Sequence, residues 1–482
     1  MPTLAFQSAT DIAARIRNRE LSAVECLTYF RKRVERFNPK LNAIVVFDWD
    51  RAQARALKAD AALSRGDVWG PLHGVPITIK ESYDLKGHPT TWGDPLLKDW
   101  IAKEDDLALQ RLEAAGAIVF GKTNVPLRLM DFQSYNEIYG TTNNPWDHGR
   151  TPGGSSGGSA AALAAGLTAL EMGSDIGGSI RNPAHYCGVF GHKPTYRLVP
   201  SRGHSPASVL TEYDIAVVGP LGRSAADLDL ALDIVAGADR VDAGLRYDLP
   251  RPDGRTLRDL KVAVWPNDDV SPVSRDCEGA VVKVADALRR AGASVNFDAR
   301  PAFTSKETHD IYMALLSSAL ATGLAEPMYE ALKARAASTS RDDQSEDARR
   351  VRAQTMDHRS WAALNNMRER LRWAWRDFFD QYDVLLAPIA STAAFPHDHK
   401  PMPQRTIDVD GSPRQYFEQL FWAGLAGVSF LPATAIPTGN NAAGLPIGIQ
   451  IIGPAYGDRI TIGVARLLEA EGFAFTPPPA YV

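Results

Sequence analysis

Hydrophobic and polar positions along the chain follow two periods that alternate from segment to segment. Short apolar runs typical of strands are LNAIVVF (41–47), VPITIK (75–80), IVFGKT (118–123), KVAVW (261–265), SVNF (294–297), DVLLAP (383–388), PATAIP (432–437) and IGIQIIG (447–453). Helical patterns run over 51–65, 105–115, 159–172, 224–236, 276–291 and 458–470. This alternation predicts an α/β fold, with a large mixed β-sheet core covered by helices on both faces.

The segment 303–380 departs from this alternation. Its pattern is helical and heavily charged, with the run SRDDQSEDARR (340–350) in the middle. We expect a helical insertion near residues 303–380 that packs on the main body. We interpret the charge run as a solvated face of that insertion.

Charge and cysteine content exclude several classes of function. The chain carries 53 Lys and Arg against 57 Asp and Glu, a net charge of −4, so there is no electrostatic case for binding nucleic acid or an anionic membrane. Cys26, Cys187 and Cys277 are few and scattered, which favours a reducing compartment. The N-terminus lacks the pattern of a signal peptide, and no run reaches the ~20 apolar residues of a membrane helix. We therefore expect a cytoplasmic protein.

Two glycine–serine clusters, GGSSGGS (153–159) and GGS (177–179), are the strongest candidates for chemistry. Phosphate binding is disfavoured, because neither the P-loop lysine nor a G-x-G-x-x-G pattern is present. No G-x-S-x-G elbow surrounds the serine of GGS (177–179), the H-E-x-x-H motif is absent, and no metal is expected. A Ser-His-Asp triad stays open, with His185 and His192 nearest in the sequence.

Lys80 ends the apolar strand at 75–80. Burial disfavours the charged form of a lysine, so its pKa falls and the amine can accept a proton. Periodicity alone favours a plainer interpretation, in which Lys80 pairs with Glu81 or Asp84 or lies at a solvated strand end. Both alternatives remain at this point.

Longer motifs carry a resemblance to a known family. They are LHGVPITIKES (72–82), GTTNNPWD (140–147), GGSSGGSAAALAAG (153–166), GSDIGGSIR (173–181), GHKPT (191–195) and GLPIGIQIIGP (444–454). Together they resemble the amidase signature family over nearly the whole chain. The resemblance implies a single amidase domain over 1–482, with a signature core at about 65–225, and it implies no cofactor.

The same resemblance assigns roles to particular residues. In that family a lysine and a serine held on a cis peptide activate a serine nucleophile, which places the nucleophile at Ser179, the bridging serine at Ser155 and the base at Lys80. The oxyanion hole that it implies is formed by the N–H groups of Ile176, Gly177, Gly178 and Ser179. Asp175 and Arg181 flank this loop and are expected to brace it, either as an ion pair or as ordinary helix-end charges.

Departures from the family pattern bear on the substrate. Leu127 stands where members often carry glutamate after the proline of the GKTNxP segment. TEYDIAVVGP (211–220) stands where the A-type subunit of a tRNA-dependent amidotransferase usually has a Ser-Leu-Asp-Gln-like run. Segments that line the pocket in the family offer apolar side chains here, which favour an aryl or alkyl acyl group: Met130, Phe132, Tyr135 and Tyr312.

The sequence thus predicts an amidase that acts on a linear amide C–N bond through an acyl-enzyme on Ser179. Small aryl or alkyl amides are the expected substrates, and carbamates or esters are open to the same chemistry. The alternative is the glutaminase (A-type) subunit of a tRNA-dependent amidotransferase, which requires partner chains. The expected partner is otherwise a small-molecule substrate, and a homodimer is the base-rate expectation for the assembly.

Overall fold

The structure is a computed structural model, and it describes residues 3–205, 209–251, 254–340 and 342–482. The α-helices are α1 Ala9–Arg17, α2 Ala23–Leu41, α3 Trp49–Ser64, α4 Leu107–Ala114, α5 Gly157–Ala164, α6 Arg181–Cys187, α7 Ala225–Val235, α8 Arg275–Arg290, α9 Ser305–Ala321, α10 Glu326–Ser338, α11 Glu346–Gln354, α12 His358–Phe379, α13 Leu420–Gly427 and α14 Asp458–Ala470. The strands are β1 Ile44–Phe47, β2 Pro76–Lys80, β3 Ile118–Thr123, β4 Tyr135–Asn136, β5 Gly140–Thr141, β6 Glu171–Asp175, β7 Phe190–Lys193, β8 Val217–Gly222, β9 Lys261–Val264, β10 Ser294–Asn296, β11 Val384–Pro388, β12 Thr406–Val409, β13 Ser412–Gln415, β14 Ala433–Asn440 and β15 Pro446–Ile452.

Eight strands form one large sheet in the order β10-β9-β11-β15-β14-β7-β8-β6. β10 and β11 run parallel to β9, and the remaining neighbouring pairs are antiparallel. Strand β15 is buried along its whole length, and its Gln450 lies opposite Ala387 of β11 and Ala435 of β14. The predicted large mixed sheet is confirmed.

Helices cover both faces of this sheet. Successive side chains of a strand point to opposite faces. On β15, Gln450 donates to the main-chain carbonyl of Trp422 in α13 at 2.8 Å, so α13 covers that face. The neighbouring Ile449 and Ile451 point to the other face, and helices α8 and α14 also pack against β15. The predicted layers are therefore confirmed.

A smaller sheet brings the end of β2 to the edge of the large one. Its order is β1-β3-β2, with β2 parallel to β3 and Lys80 opposite Thr123. All five residues of β2 are buried. The hydroxyl of Thr78 in β2 donates to the carboxyl group of Glu171 in β6. Because β6 is the edge strand of the large sheet, Lys80 lies where the two sheets meet.

The segment 303–380 forms the four helices α9 to α12, as predicted. Arg368 of α12 is buried and pairs with Asp214 at 2.7 Å, so this segment is held to the main body by an ion pair. In the charge run, Asp342 and Asp343 are exposed, and Arg341 lies outside the described residues. None of the helices in the described ranges is long and apolar enough to cross a bilayer.

The predicted helix over 159–172 is too long. Helix α5 ends at Ala164, and Met172 belongs to β6. Gly166 adopts a φ of +67°, a left-handed conformation that glycine tolerates, and a Cβ at this position would lie 2.9 Å from Cβ of Ala5. The chain therefore turns after α5, which the run of small apolar residues did not indicate.

Candidate active site

The amine of Lys80 lies inside the protein and contacts two hydroxyl groups. Nζ donates to Oγ of Ser155 at 2.6 Å and to Oγ of Ser174 at 2.9 Å. Burial lowers the pKa of Lys80 to about 7, against the opposing charges of Asp175, Glu171 and Glu81. The solvated strand end is wrong, since the side chain of Lys80 has no exposure to solvent. Its hydrogen bonds go to Ser155 and Ser174, and not to Glu81 or Asp84. Burial therefore favours the neutral form of this amine.

The loop that carries Ser155 depends on two glycines. A Cβ on Gly153, whose φ is +91°, would lie 2.7 Å from Cα of Pro183, and a Cβ on Gly154 would overlap the carbonyl oxygen of Asp131. The peptide bond between Gly154 and Ser155 is cis. Side chains are excluded here because the backbone of other segments lies directly against the loop.

The segment that precedes β4 holds this loop from outside. Ser134 Oγ donates to the carbonyl of Gly153 at 3.0 Å and accepts from the N–H of Gly157 at 3.1 Å. Thr151 Oγ1 donates to the carbonyl of Phe132 at 3.1 Å. Ser155 is therefore fixed by contacts on both sides of it in the chain.

Ser179 lies in the loop between β6 and α6. Its carbonyl accepts a hydrogen bond from the N–H of Ser156 at 3.1 Å, which joins the two glycine–serine clusters. Ser179 is 7% exposed, whereas Ser155 is 1% exposed. Of these two buried serines, Ser179 is the more exposed.

Asp175 and Arg181 form a buried ion pair across the base of this loop. Arg181 donates from Nε to Oδ2 at 3.0 Å and from Nη2 to Oδ1 at 2.8 Å. Burial alone would raise the pKa of Asp175, but Arg181 lowers it to about 2 through its charge and its hydrogen bonds. Asp175 also accepts from the N–H groups of Gly178 and Ile180 at 2.9 and 3.1 Å. Of the two interpretations of these charges, the ion pair is the one that the structure contains.

Gly178 differs from the prediction for the oxyanion hole. Its N–H donates to Oδ1 of Asp175 at 2.9 Å, so this donor already has a partner within the protein. Its φ of +97° explains why glycine stands there. The prediction remains for Ile176, Gly177 and Ser179.

Tyr312 supports the same loop from the helical segment. Its hydroxyl donates to the carbonyl of Ile176 at 2.8 Å, and its side chain is fully buried. Tyr312 is therefore a core residue and not an exposed part of a pocket lining. A Cβ on Gly177 would lie 3.7 Å from this hydroxyl and 3.0 Å from Cδ2 of Leu420. The motifs did not single out this contact, or that of Ser174 with Lys80, because both arise from packing between distant elements.

The two histidines nearest the motifs have other partners. His185 Nδ1 accepts from the N–H of Gly448 at 2.7 Å, and burial lowers the pKa of His185 to about 4. His192 lies 3.1 Å from Oδ1 of Asp458 and 2.9 Å from Oγ1 of Thr434. These contacts do not support the Ser-His-Asp alternative. Among the described residues there is no group of three or more His, Cys, Asp or Glu arranged to hold a metal ion.

The predicted pocket residues lie in different surroundings. Met130 is exposed, whereas Phe132 is buried against the rings of Tyr416 and Phe417, with centroids at 5.8 and 6.2 Å. Tyr135 stacks on His399 at 4.0 Å. Their segment touches the Ser155 loop, but only Met130 presents a large open surface.

The family model for amidases matches residues 25–462. The chain belongs to the amidase signature family. As a member, it is an amidohydrolase that acts on C–N amide bonds.

Two relatives resemble this amidase over almost its full length. The indoleacetamide hydrolase of Bradyrhizobium diazoefficiens is 33% identical over 473 residues, which cover 96% of this chain and 86% of that protein. The A-type subunit of the glutamyl-tRNA(Gln) amidotransferase of Gloeobacter violaceus is 32% identical, and the match covers 96% of each chain. The names of these two relatives therefore indicate more than one activity within the family.

Solved structures agree with the fold of this amidase. A 6-aminohexanoate cyclic dimer hydrolase superposes with a TM-score of 0.78 at 28% identity, covering 98% of each chain. A bacterial aryl acylamidase superposes with a TM-score of 0.80 over 99% of this chain and 97% of that one. At 24% identity, the second likeness supports the fold alone.

Proposed function

We propose that this amidase hydrolyses small aryl or alkyl amides through an acyl-enzyme on Ser179. The observation that carries the proposal is the Lys80 amine, which is buried, has a pKa lowered to about 7 and lies 2.6 Å from Oγ of Ser155. A serine hydroxyl is a weak nucleophile unless a base removes its proton. Lys80 supplies that base at neutral pH.

In the first half of the reaction, Lys80 accepts the proton of Ser155, and Ser155 takes the proton of Ser179. Oγ of Ser179 bonds to the carbonyl carbon of the substrate, whose oxygen becomes an oxyanion. The N–H groups of Ile176, Gly177 and Ser179 donate to it, and one such donor typically contributes ~2.7–4 kcal/mol. The C–N bond then breaks, and the amine leaves with the proton returned through Ser155.

In the second half, water attacks the acyl ester and gives its proton to the same pair, Ser155 and Lys80. The carboxylic acid leaves, and Ser179 recovers its proton. Carbamates and esters fit the same sequence of steps, since each offers a carbonyl carbon with a leaving group. No step needs a cofactor.

An apolar cluster beside the Ser179 loop supports an apolar acyl group. Ile176 and Phe417 are half-buried and pack with Phe132, Ile215 and Leu420. Burial of an aryl or alkyl group against these side chains contributes roughly 25 cal/mol for each Å² of apolar surface. A free amino acid would have to bring its charges against the same surface.

The second candidate is the glutaminase subunit of a tRNA-dependent amidotransferase. The A-type relative that is 32% identical over 96% of both chains favours it. TEYDIAVVGP at 211–220, in place of the run usual in A-type chains, and the apolar cluster count against it. Copurification with partner chains, and glutamine turnover that depends on them, would establish this candidate.

Turnover by the purified chain tests the proposal. Aryl amides, anilides, carbamates and glutamine are assayed with the wild type and with Ser179→Ala. We expect the highest kcat/KM on an aryl or alkyl amide and loss of turnover in Ser179→Ala. Turnover of glutamine alone would contradict the proposed substrate class, and full activity in Ser179→Ala would contradict the acyl-enzyme.

A further inference from the structure

One segment of the chain touches both serine loops. We call residues 394–420, which run from the end of the large sheet to the start of α13, the strap. At its beginning, the carbonyl of Ala394 accepts from Nη1 of Arg150 at 2.8 Å, and that of Phe395 accepts from the N–H of Thr151 at 3.1 Å. At its end, Leu420 packs against Gly177. The strap therefore borders the Ser155 loop and the Ser179 loop at once.

A buried polar cluster holds the strap in place. Arg405 donates from Nη1 to Oδ2 of Asp131 and from Nη2 to the hydroxyl of Tyr135, both at 2.6 Å. Its Nε donates to the carbonyl of Lys400 at 2.6 Å. The hydroxyl of Tyr416 donates to the other oxygen of Asp131 at 2.6 Å. Every nitrogen of the guanidinium group and both oxygens of the carboxylate are thus engaged, with each side chain only 2% exposed.

The backbone of Asp131 lies directly against the loop that carries Ser155. Its carbonyl oxygen lies so close to Gly154 that a Cβ there would overlap it. The next residue, Phe132, accepts the hydrogen bond from Thr151. A shift of Asp131 would therefore move the backbone directly before Ser155, whose Oγ contacts Lys80.

We infer that Arg405 is a positioning residue, which acts through Asp131 to set the place of the Ser155 loop relative to the Ser179 loop. The inference rests on the proposed function, since it concerns the same proton relay. Each polar atom of Arg405 and Asp131 has a partner within the protein, and each side chain is buried. Their replacement should therefore slow the chemical step and leave binding of the substrate unchanged.

Three variants and one control test this role. Arg405→Met removes the ion pair, and Arg405→Lys keeps the positive charge without the planar guanidinium group. Tyr416→Phe removes one hydroxyl. Arg414→Met is the matched control, because Arg414 lies on β13 of the same strap and pairs with Glu418 at its half-exposed surface. Measured quantities are kcat and KM on the best amide, the rate of Ser179 labelling by a serine-directed phosphonate, and hydrogen exchange of the backbone at 151–158.

We expect kcat and the labelling rate to fall about 10²-fold in Arg405→Met, as for a displacement of about 1 Å in a catalytic group. In Tyr416→Phe, kcat and the labelling rate should fall about tenfold, the equivalent of one hydrogen bond. In Arg405→Lys, both should fall less than in Arg405→Met. KM should stay unchanged in each. Exchange at 151–158 should be faster in Arg405→Met and Tyr416→Phe and unchanged in Arg414→Met.

Wild-type kcat and wild-type exchange in folded Arg405→Met or Tyr416→Phe would overturn the inference. If Arg405→Met does not fold, Tyr416→Phe decides, because it keeps the ring and its packing. A wild type that hydrolyses no amide and takes no phosphonate would contradict the proposed function. In that case the exchange at 151–158 still decides whether Arg405 positions this loop.

Discussion

At the scale of single residues, the surroundings of Lys80 determine the pKa of its amine. Its side chain lies at the end of a strand buried on both faces, and this burial lowers the pKa of Lys80 to about 7. The apolar alternation at 75–80 predicted a strand that ends at Lys80, but not whether the amine is buried. That depends on β6, a strand distant in the sequence, which supplies Ser174 as the second contact of the amine.

The rate of hydrolysis should follow the titration of Lys80. Below pH 7 the amine is mostly cationic and cannot accept a proton, whereas above pH 7 it is mostly neutral. We expect kcat/KM to fall about tenfold between pH 8 and pH 6, measured on an uncharged amide. Lys193 is also buried with a pKa lowered to about 7, so the profile is repeated in Lys193→Met, where the inflection should remain. A flat profile in the wild type would contradict the role of Lys80 as a base.

At the scale of elements, the loop after β6 is held by the ion pair of Asp175 and Arg181. The motif predicted charges on both sides of the loop, and the structure joins them because β6 and α6 place them side by side. The sequence predicted a helix across α5 and the start of β6, and it did not predict strands β6, β7 and β8. The small apolar residues of α5 and the buried residues of β6, β7 and β8 show no alternation of polar and apolar positions, so their periodicity could not separate helix from strand.

Asp175→Asn should lower the free energy of unfolding by about 3–5 kcal/mol, because it leaves the Arg181 charge buried without its partner. Denaturant titration at neutral pH measures this change. Arg31→Met is a suitable control, because Arg31 pairs with Glu35 on the exposed surface of α2; its effect should stay within about 1 kcal/mol. Equal effects of the two substitutions would contradict the account of the loop.

At the scale of the whole molecule, the helical segment 303–380 has an exposed side and a side that contacts the loop before Ser179. Tyr312 of α9 binds the loop before Ser179, and Arg368 of α12 binds Asp214. We propose that residues 1–482 work as one domain for this reason. The helical pattern predicted the helices of this segment, and the charge run predicted an exposed face. The contacts of its buried side with distant loops follow from packing that no local pattern encodes.

Tyr312→Phe should slow hydrolysis although it removes only a hydroxyl. The carbonyl of Ile176 then loses its donor, and the peptide groups beside it lose part of their fixed orientation. We expect kcat to fall about tenfold with the loss of this hydrogen bond. Tyr329→Phe on α10, on the outer part of the same segment, should leave kcat unchanged. A wild-type kcat in Tyr312→Phe would show that the helical segment does not support the site.

The most direct test of the proposed relay is to identify the residue that becomes covalently modified. The chain is mixed with an aryl ester or a serine-directed phosphonate, quenched, digested and analysed by mass spectrometry. We predict the adduct on Ser179 in the wild type, no adduct in Ser179→Ala, and greatly slowed formation in Lys80→Met and Ser155→Ala. An adduct on Ser155 or on any other residue, or an unchanged rate in Lys80→Met, would contradict the account.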